Sequence, residues 1–362
     1  MRQEKKRLSW IGRLLSLMNL LLAITLFLSS LSSFIDPSRF RLAGLLGLGF
    51  PILLIINLFF MLFWMVKVRP QFLFSLLAIL FSWQDVASLY KLNKEEKVLN
   101  LNRSIDIMTY NVRMFNRYDW IDDVSVPAKI DSLVKAIQPQ ILCIQEFYNY
   151  EKTPSFDFKY EVRNMADYQK KYGLVIYSNY EVIRSGQIDY PIGVDLGTNK
   201  FFQFADLLID SDTIRIINVH LASLNLDEQD LQLVDGAAEI DKWRERKGEF
   251  KKIGSRIGNA FLKRGRQMKA VLYFVDASPY PIILCGDFND TPSSWAYSQM
   301  EKRFTDSFVE GGRGFGRTYQ RFLFPLRIDH VFLSNEFRVI DHRIIKKALS
   351  DHFGVVVRFS LE

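Results

Sequence analysis

Cysteine is almost missing: Cys143 and Cys285 are the two in 362 residues, which excludes a disulfide-stapled scaffold. Proline (11) and glycine (19) are too scarce for a collagen-like chain, and no low-complexity tract or internal repeat is visible. Wholly disordered chemistry is excluded by a hydrophobic content of 49%. Both cysteines lie in apolar strand-like runs and read as buried, unpaired thiols.

Charge is also missing, in places that matter. Residues 14–35 and 42–66 are runs of 22 and 25 residues without a charged side chain. Each is long enough to cross a hydrocarbon core of about 30 Å as a helix. A third stretch, 71–85, has 14 uncharged residues before Asp85, between a short span and an interfacial helix. Trp83 and Gln84 would anchor its far end. Arg2, Lys5, Lys6, Arg7 and Arg13 precede the first run, and Lys67 and Arg69 follow the second. Both clusters favour the cytoplasmic side over the loop holding Asp36, Arg39 and Arg41. Two spans would return the chain to the cytoplasm, and a third would place the remainder outside. The expectation is a multi-pass anchor over 1–90 in a bacterial inner membrane, a polar linker over 91–103, and a domain over 104–362 on the periplasmic or extracellular side.

Net charge is absent from that domain. Residues 1–100 hold 12 basic and 5 acidic groups; removing these from the totals of 47 and 40 leaves 35 of each sign over 101–362. The whole excess of +7 therefore sits in the first hundred residues. The basic pI of 9.2 is no argument for nucleic-acid binding by the domain itself.

The domain alternates short apolar, β-branched runs with helical candidates. Strands are expected over 105–110, 141–144, 173–177, 214–219, 282–285, 331–333 and 355–359, and helices over 126–137 and within 231–275. This is an α/β pattern. Polar residues gather at the strand ends: Asn111, Gln145-Glu146, Asn218-Val219-His220, Gly286-Asp287-Phe288-Asn289-Asp290, Asp329-His330 and Ser350-Asp351-His352. Ligands in α/β sheets gather where strands end. Glu146, Asp287, Asp329 and Asp351 are hard oxygen donors. With Asn111 and Asn289 they suit Mg²⁺ or Mn²⁺. His220 and His352 would donate to phosphoryl oxygens or move protons near neutral pH. Such a set suits attack of water on a phosphate ester.

The segments MTYNVR, ILCIQEF, GLVIYS, INVHLAS, IILCGDFNDTPSS, RIDHVF and LSDHFGV occur in an order that resembles the endonuclease/exonuclease/phosphatase superfamily, which includes DNase I-like nucleases and neutral sphingomyelinases. The resemblance covers about 104–360. It implies a four-layer α/β (α+β) sandwich, two packed mixed sheets flanked by helices. It also implies a Mg²⁺-dependent hydrolase. Glu146 would be the principal metal carboxylate, with Asn111 and Asp351 helping to hold the ion. Asp287 would orient or deprotonate the water, and Asn289 would hold a phosphate oxygen. His352 would contact the scissile phosphate, oriented by Asp329. His220 would assist the leaving side. The implied partners are a phosphate-ester substrate and the bilayer: nucleic acid, a phospholipid or a small phosphoester. A sphingomyelinase-like phosphodiesterase and a non-catalytic module of the same fold are the alternatives, and no protein partner follows from the sequence. Asn179 stands where the family often has Arg or Lys. His330 reads as structural and His342 as a surface residue.

The insert between His220 and Gly286 is the most individual part. Residues 241–269 hold 11 basic and 3 acidic side chains, with Trp243, Phe250, Ile253, Ile257 and Phe261 at helical spacing. The apolar stripe either packs on the sandwich or faces lipid headgroups beside the anchor.

Overall fold

The computed structural model describes residues 8–92, 104–165, 169, 171–187, 201–224, 247–321 and 325–361. Arg2, Lys5, Lys6 and Arg7, the linker beyond Leu92, and 231–246 with Trp243 lie outside the described residues, as does the Phe250 side chain.

All seven expected strands form, each somewhat longer than its apolar run. They sit in two six-stranded mixed sheets. The first sheet is β2 (Ser104–Asn111), β3 (Ile141–Tyr148), β4 (Tyr160–Met165), β5 (Tyr172–Ser178), β13 (Phe337–Ile345) and β14 (Gly354–Leu361), in the order β13-β14-β2-β3-β5-β4. The second is β6 (Glu181–Gly186), β7 (Phe202–Ile209), β8 (Asp212–His220), β9 (Ile282–Asp287), β10 (Thr305–Asp306) and β12 (Asp329–Leu333), in the order β10-β12-β9-β8-β7-β6. Their inner faces share one core, including Ile107, Cys143, Ile216, Ile283, Cys285 and Val357. Both thiols are free and buried there, as the sequence suggested. Helix α6 (Val126–Ile137) covers the first sheet with Ile130 and Val134. Helices α7 (Lys247–Asp276) and α8 (Trp295–Glu301) cover the second. The four layers match the implied sandwich.

Each sheet holds one parallel pair, β2 with β3 and β8 with β9. These pairs end at the same edge of the sandwich and bring Asn111, Gln145, His220 and Asp287 to it. Just beneath that edge a buried amide pair ties the sheets together. Gln145 Nε2 donates to Thr109 Oγ1 (2.9 Å) and Asn218 Oδ1 (2.7 Å). Asn218 Nδ2 donates across the core to the carbonyls of Ile144 (3.0 Å) and Val175 (3.2 Å).

Arg215 on β8 shows how the second sheet tolerates charge. Its guanidinium grips the opposite Asp206 in two bonds of 2.7 and 2.8 Å, under the rings of Phe204, Phe274 and Tyr280. Arg215→Ala strands a buried carboxylate. Denaturant titration should show a loss of about 3–5 kcal/mol.

The N-terminal segment departs from expectation. It forms α1 (Trp10–Leu31), α2 (Arg41–Leu48), α3 (Phe50–Val66), α4 (Phe72–Phe81) and α5 (Trp83–Leu89), then a short strand β1 (Tyr90–Lys91) that pairs with β11 (Gly314–Phe315). Among the described residues one helix, Trp10–Phe34 with its terminal 3-10 turn, has the length and composition to cross a membrane or act as a signal segment. The expected span over 42–66 is broken at Gly49, with Pro51 starting α3, which leaves an apolar helix of 17 residues. The stretch over 71–85 bends by 72° between α4 and α5, so it counts only as a broken span. The two or three expected spans thus reduce to one, or two if the bent pair is one. The periplasmic or extracellular placement loses the unbroken third span it rested on.

The segment is also not a detached anchor. Helix α2 lies on α7: Arg41 donates to Asn259 Oδ1 (3.2 Å), and a methyl at Gly44 would overlap the Phe261 ring. Lys269 pairs with Asp36 (2.5 Å) and donates to Ser38 (2.8 Å). The apolar stripe of α7 therefore has two partners. Met268, Val271 and Val275 pack on the sheet, and Phe261 packs on α2. Lys251, Lys252 and Arg256 are exposed.

Candidate active site

The local backbone at the sandwich edge explains why these side chains meet. Asn111 is the last residue of β2 and is buried. Beyond it the chain runs left-handed from Arg113 to Asn116, with φ from 44 to 58°. Four such non-glycine residues in a row are costly and persist only where tertiary contacts fix them. Here Arg113 N donates to Asn111 Oδ1 (3.1 Å), and the Ser350 hydroxyl donates to the Asn111 carbonyl (2.8 Å). Glu146 also has positive φ, 51°, at the irregularity where β3 shifts register against β5 between Ile144 and Phe147. Gly286 has φ 134°, and a Cβ there would strike the Val219 backbone on β8.

The carboxylates converge. The Asn111 amide donates to Glu146 Oε1 (3.2 Å) and to Asp287 Oδ2 (3.0 Å). His220 Nε2 faces the same two oxygens at 3.7 and 3.6 Å. Across β9, Asp329 stands opposite Asp287 on the antiparallel β12. Its carboxylate holds His352 Nδ1 at 2.9 and 3.1 Å. His352 Nε2 then points toward Asp287 Oδ2, 3.7 Å away. Donor atoms of Asp287, Asp329 and His352 lie within 4.8 Å of one another.

Burial raises the Asp287 carboxyl above the usual carboxylate range, and Asp329 adds to this against the pull of the two imidazoles. Burial alone would lower His352, but Asp329 and Asp287 raise it to about 10. His352 is thus an imidazolium at neutral pH.

The remaining expected residues fall less centrally. Asn289 N donates to Asp287 Oδ1 (2.8 Å), while one N–H of its side chain goes to the Leu221 carbonyl (2.9 Å). Asp351 lies at the rim, paired with Arg113 Nε at 3.3 Å. His330 is structural, held between Arg327 (3.0 Å) and the Asp290 carbonyl (3.0 Å), and burial lowers it to about 3. His342 is not a surface residue. It is buried against Ser307 Oγ (2.9 Å), because β13 folds under the short helix α9 (Ser307–Gly311).

Sequence reasoning missed four residues. Arg113 stood inside MTYNVR without a role; here it stacks on Trp120 (4.2 Å) beside Asp351. Thr318 Oγ1 accepts from the amides of Ile328 (3.0 Å) and Asp329 (3.1 Å), which fixes Asp329. The Tyr319 ring lies 5.0 Å from His352. Thr318 and Tyr319 sit in an irregular segment with no periodic signal. Arg264 is the fourth and approaches the loop after Asp287 from α7.

Two packed mixed sheets flanked by helices are a fold that this chain shares with several solved structures. Residues 253–352 match the Endonuclease/Exonuclease/phosphatase family, and residues 12–89 match a domain of unknown function, DUF8431. Among solved structures, a functionally unknown conserved protein from Enterococcus faecalis V583 is similar with a TM-score of 0.53 and 19% identity, over 71% of this chain and 100% of that one. The mannosyl-6-phosphatase of Bacteroides thetaiotaomicron VPI-5482 is similar at 0.52 and 16%, over 71% and 100%. An endonuclease/exonuclease/phosphatase from Bacteroides vulgatus is similar at 0.51 and 17%, over 72% and 99%. No curated protein matches the sequence.

Proposed function

We propose that the chain is a divalent-metal-dependent phosphoesterase, with residues 104–362 as the catalytic domain and 1–90 as a membrane anchor. The observation that carries the catalytic reading is the convergence of Glu146 Oε1 and Asp287 Oδ2 on one Asn111 amide and one edge of His220. Two carboxylates converging on one edge of the sandwich make an electron-rich patch of hard oxygen donors, which fits a hard ion, Mg²⁺ or Mn²⁺. Glu146 would hold it, with Asp351 helping at the rim and Asn111 orienting the carboxylates through its amide N–H groups. The ion, when bound, would supply positive charge for the phosphoryl oxygens.

The chain's own groups supply the rest. Asp287 would orient and deprotonate the attacking water through Oδ2. His352, kept protonated by Asp329, would donate from Nε2 to a phosphoryl oxygen as negative charge builds. The second N–H of the Asn289 amide is left for another phosphoryl oxygen. His220, facing the same space, would steady or protonate the leaving oxygen.

The anchor reading rests on an inside-out pattern. Ser75 donates to Asn19 Oδ1 (2.6 Å) and Asn57 Oδ1 (2.9 Å) in the fully buried centre of α1, α3 and α4. Leu14, Leu21, Ile55, Phe59, Leu62 and Leu77 face outward. Polar groups inside and large apolar ones outside suit lipid, not water.

The substrate is a phosphodiester or phosphomonoester: nucleic acid, phospholipid or a small ester such as the phosphosugar of the Bacteroides phosphatase. A sphingomyelinase-like lipid phosphodiester is the second reading. It is favoured by the loop after Asp287, where the Ser293 carbonyl lies against Gly47 of the N-terminal segment. The test is the full chain in phospholipid vesicles, assayed against plasmid DNA, sphingomyelin and mannose 6-phosphate. EDTA should cut hydrolysis of the true substrate class at least about a hundredfold, and Mg²⁺ should restore it. No metal-dependent hydrolysis of any ester would overturn the catalytic reading. Release of the protein from vesicles by alkaline carbonate would overturn the anchor.

A further inference from the structure

Arg264 is an expensive residue. Its side chain is 1% exposed, and its Nε and Nη2 have no hydrogen-bond partner among the described residues. Its Nη1 reaches Asp290 Oδ1 at 3.1 Å and donates to the Asn289 carbonyl. A buried cation with most of its N–H donors unused is poor value for stability alone, since an apolar side chain of similar size often serves as well. Such placements gather where geometry matters more than stability.

We propose that Arg264 is a positioning residue for the loop Asp287–Asp290, and that the docked N-terminal helices hold it in place. The inference rests on the reading of Asp287 as a participant in hydrolysis. Asn289 is left-handed at φ 52°, and its amide is the donor that fixes Asp287 Oδ1. The loop is tied elsewhere as well: Leu221 N donates to the Asp287 carbonyl (2.9 Å), Phe288 N donates to the Ile328 carbonyl (2.9 Å), and His330 meets the Asp290 carbonyl (3.0 Å). Arg264 adds a further tie on the Asn289 carbonyl, in the peptide unit just after the one whose N–H meets Asp287 Oδ1. The Arg264 guanidinium itself stacks on Phe261, 4.5 Å from the ring centroid. Phe261 is the ring that meets Gly44 of α2. A continuous line of contact therefore runs from α2 through Phe261 and Arg264 to Asn289, the residue whose N–H meets Asp287 Oδ1. Gly47 against the Ser293 carbonyl braces the far end of the same loop. The N-terminal segment is thus part of the catalytic scaffold.

The experiment uses the full chain in detergent micelles with Mg²⁺ and the soluble ester bis(p-nitrophenyl) phosphate. Arg264→Met combined with Asp290→Asn removes the buried pair together, so that no lone charge is left. The expected result is a kcat about ten- to a hundredfold lower, with KM within about threefold and the melting temperature within a few degrees, because small displacements of a reacting group cost rate and not binding. Arg264→Lys keeps one donor and should recover most of the lost kcat. Gly44→Leu, whose Cβ would meet the Phe261 ring first, should lower kcat in the same direction. If the double variant is folded with kcat within twofold of the parent, the inference fails while the phosphoesterase reading stands. If Lys and Met variants lose kcat equally and in step with melting temperature, Arg264 is structural only. If the parent itself hydrolyses no ester, the underlying reading fails.

Discussion

Asp287→Asn is expected to lower kcat by about 10²- to 10⁴-fold, the span typical for loss of a group that moves a proton at the reacting centre. The substitution is close to isosteric. Oδ1 would still accept from Asn289 N, so the loop keeps its shape. What changes is the second atom. An amide NH₂ in place of Oδ2 would face the Asn111 NH₂ and the Nε2 atoms of His220 and His352, all of which now converge on an acceptor. It does not take a proton from water. Stability should move little or rise, because the native carboxylate carries the cost of burial, shown by its raised pKa. Steady-state kinetics with melting curves separate the two effects. A folded variant that keeps kcat within tenfold of the parent removes Asp287 from the chemistry.

Asp329→Asn should cost a similar 10²- to 10⁴-fold in kcat, by a different route and with a signature in pH. Burial lowers His352, and Asp329 and Asp287 together raise it to about 10. Removing the Asp329 charge lets burial dominate, so the imidazolium loses its proton at lower pH. The alkaline limb of the rate profile should move down the pH scale. The linkage has a definite sign. The folded pKa lies above the unfolded value near 6.5, so this ion pair stabilises fully below pH 6.5 and is lost as pH rises through about 10. The parent should therefore lose more stability than the variant between pH 7 and 10. An unshifted alkaline limb would show that Asp329 does not govern His352.

Much of the sandwich was legible because a strand buried on both faces is a short, continuous apolar run. The seven expected strands are of this kind. β4, β6 and β13 escaped because they lie at sheet edges with mixed, half-exposed sequences such as YEVRNM and FRVIDHRII. The polar groups that cluster at the sandwich edge were legible as such because they follow apolar runs. Their relative placement was not, since it depends on left-handed residues at Arg113–Asn116 and Glu146 that carry no glycine signal. The N-terminal spans were misread because the absence of charge measures length without showing breaks at Gly49 and Ser82. His342 was misplaced because burial of a histidine by Ser307 and Phe308 is a tertiary event.

The buried amides Gln145 and Asn218 fasten one sheet to the other beneath a centre to which each contributes half. Asn111 and Glu146 arrive from one layer, and His220, Asp287 and Asp329 from its mate. Neither layer alone carries the whole cluster, so a ligand seated between them would act as a rivet. Its binding energy opposes any slippage of the two layers, and occupancy should make the whole sandwich unfold as a single unit at higher temperature.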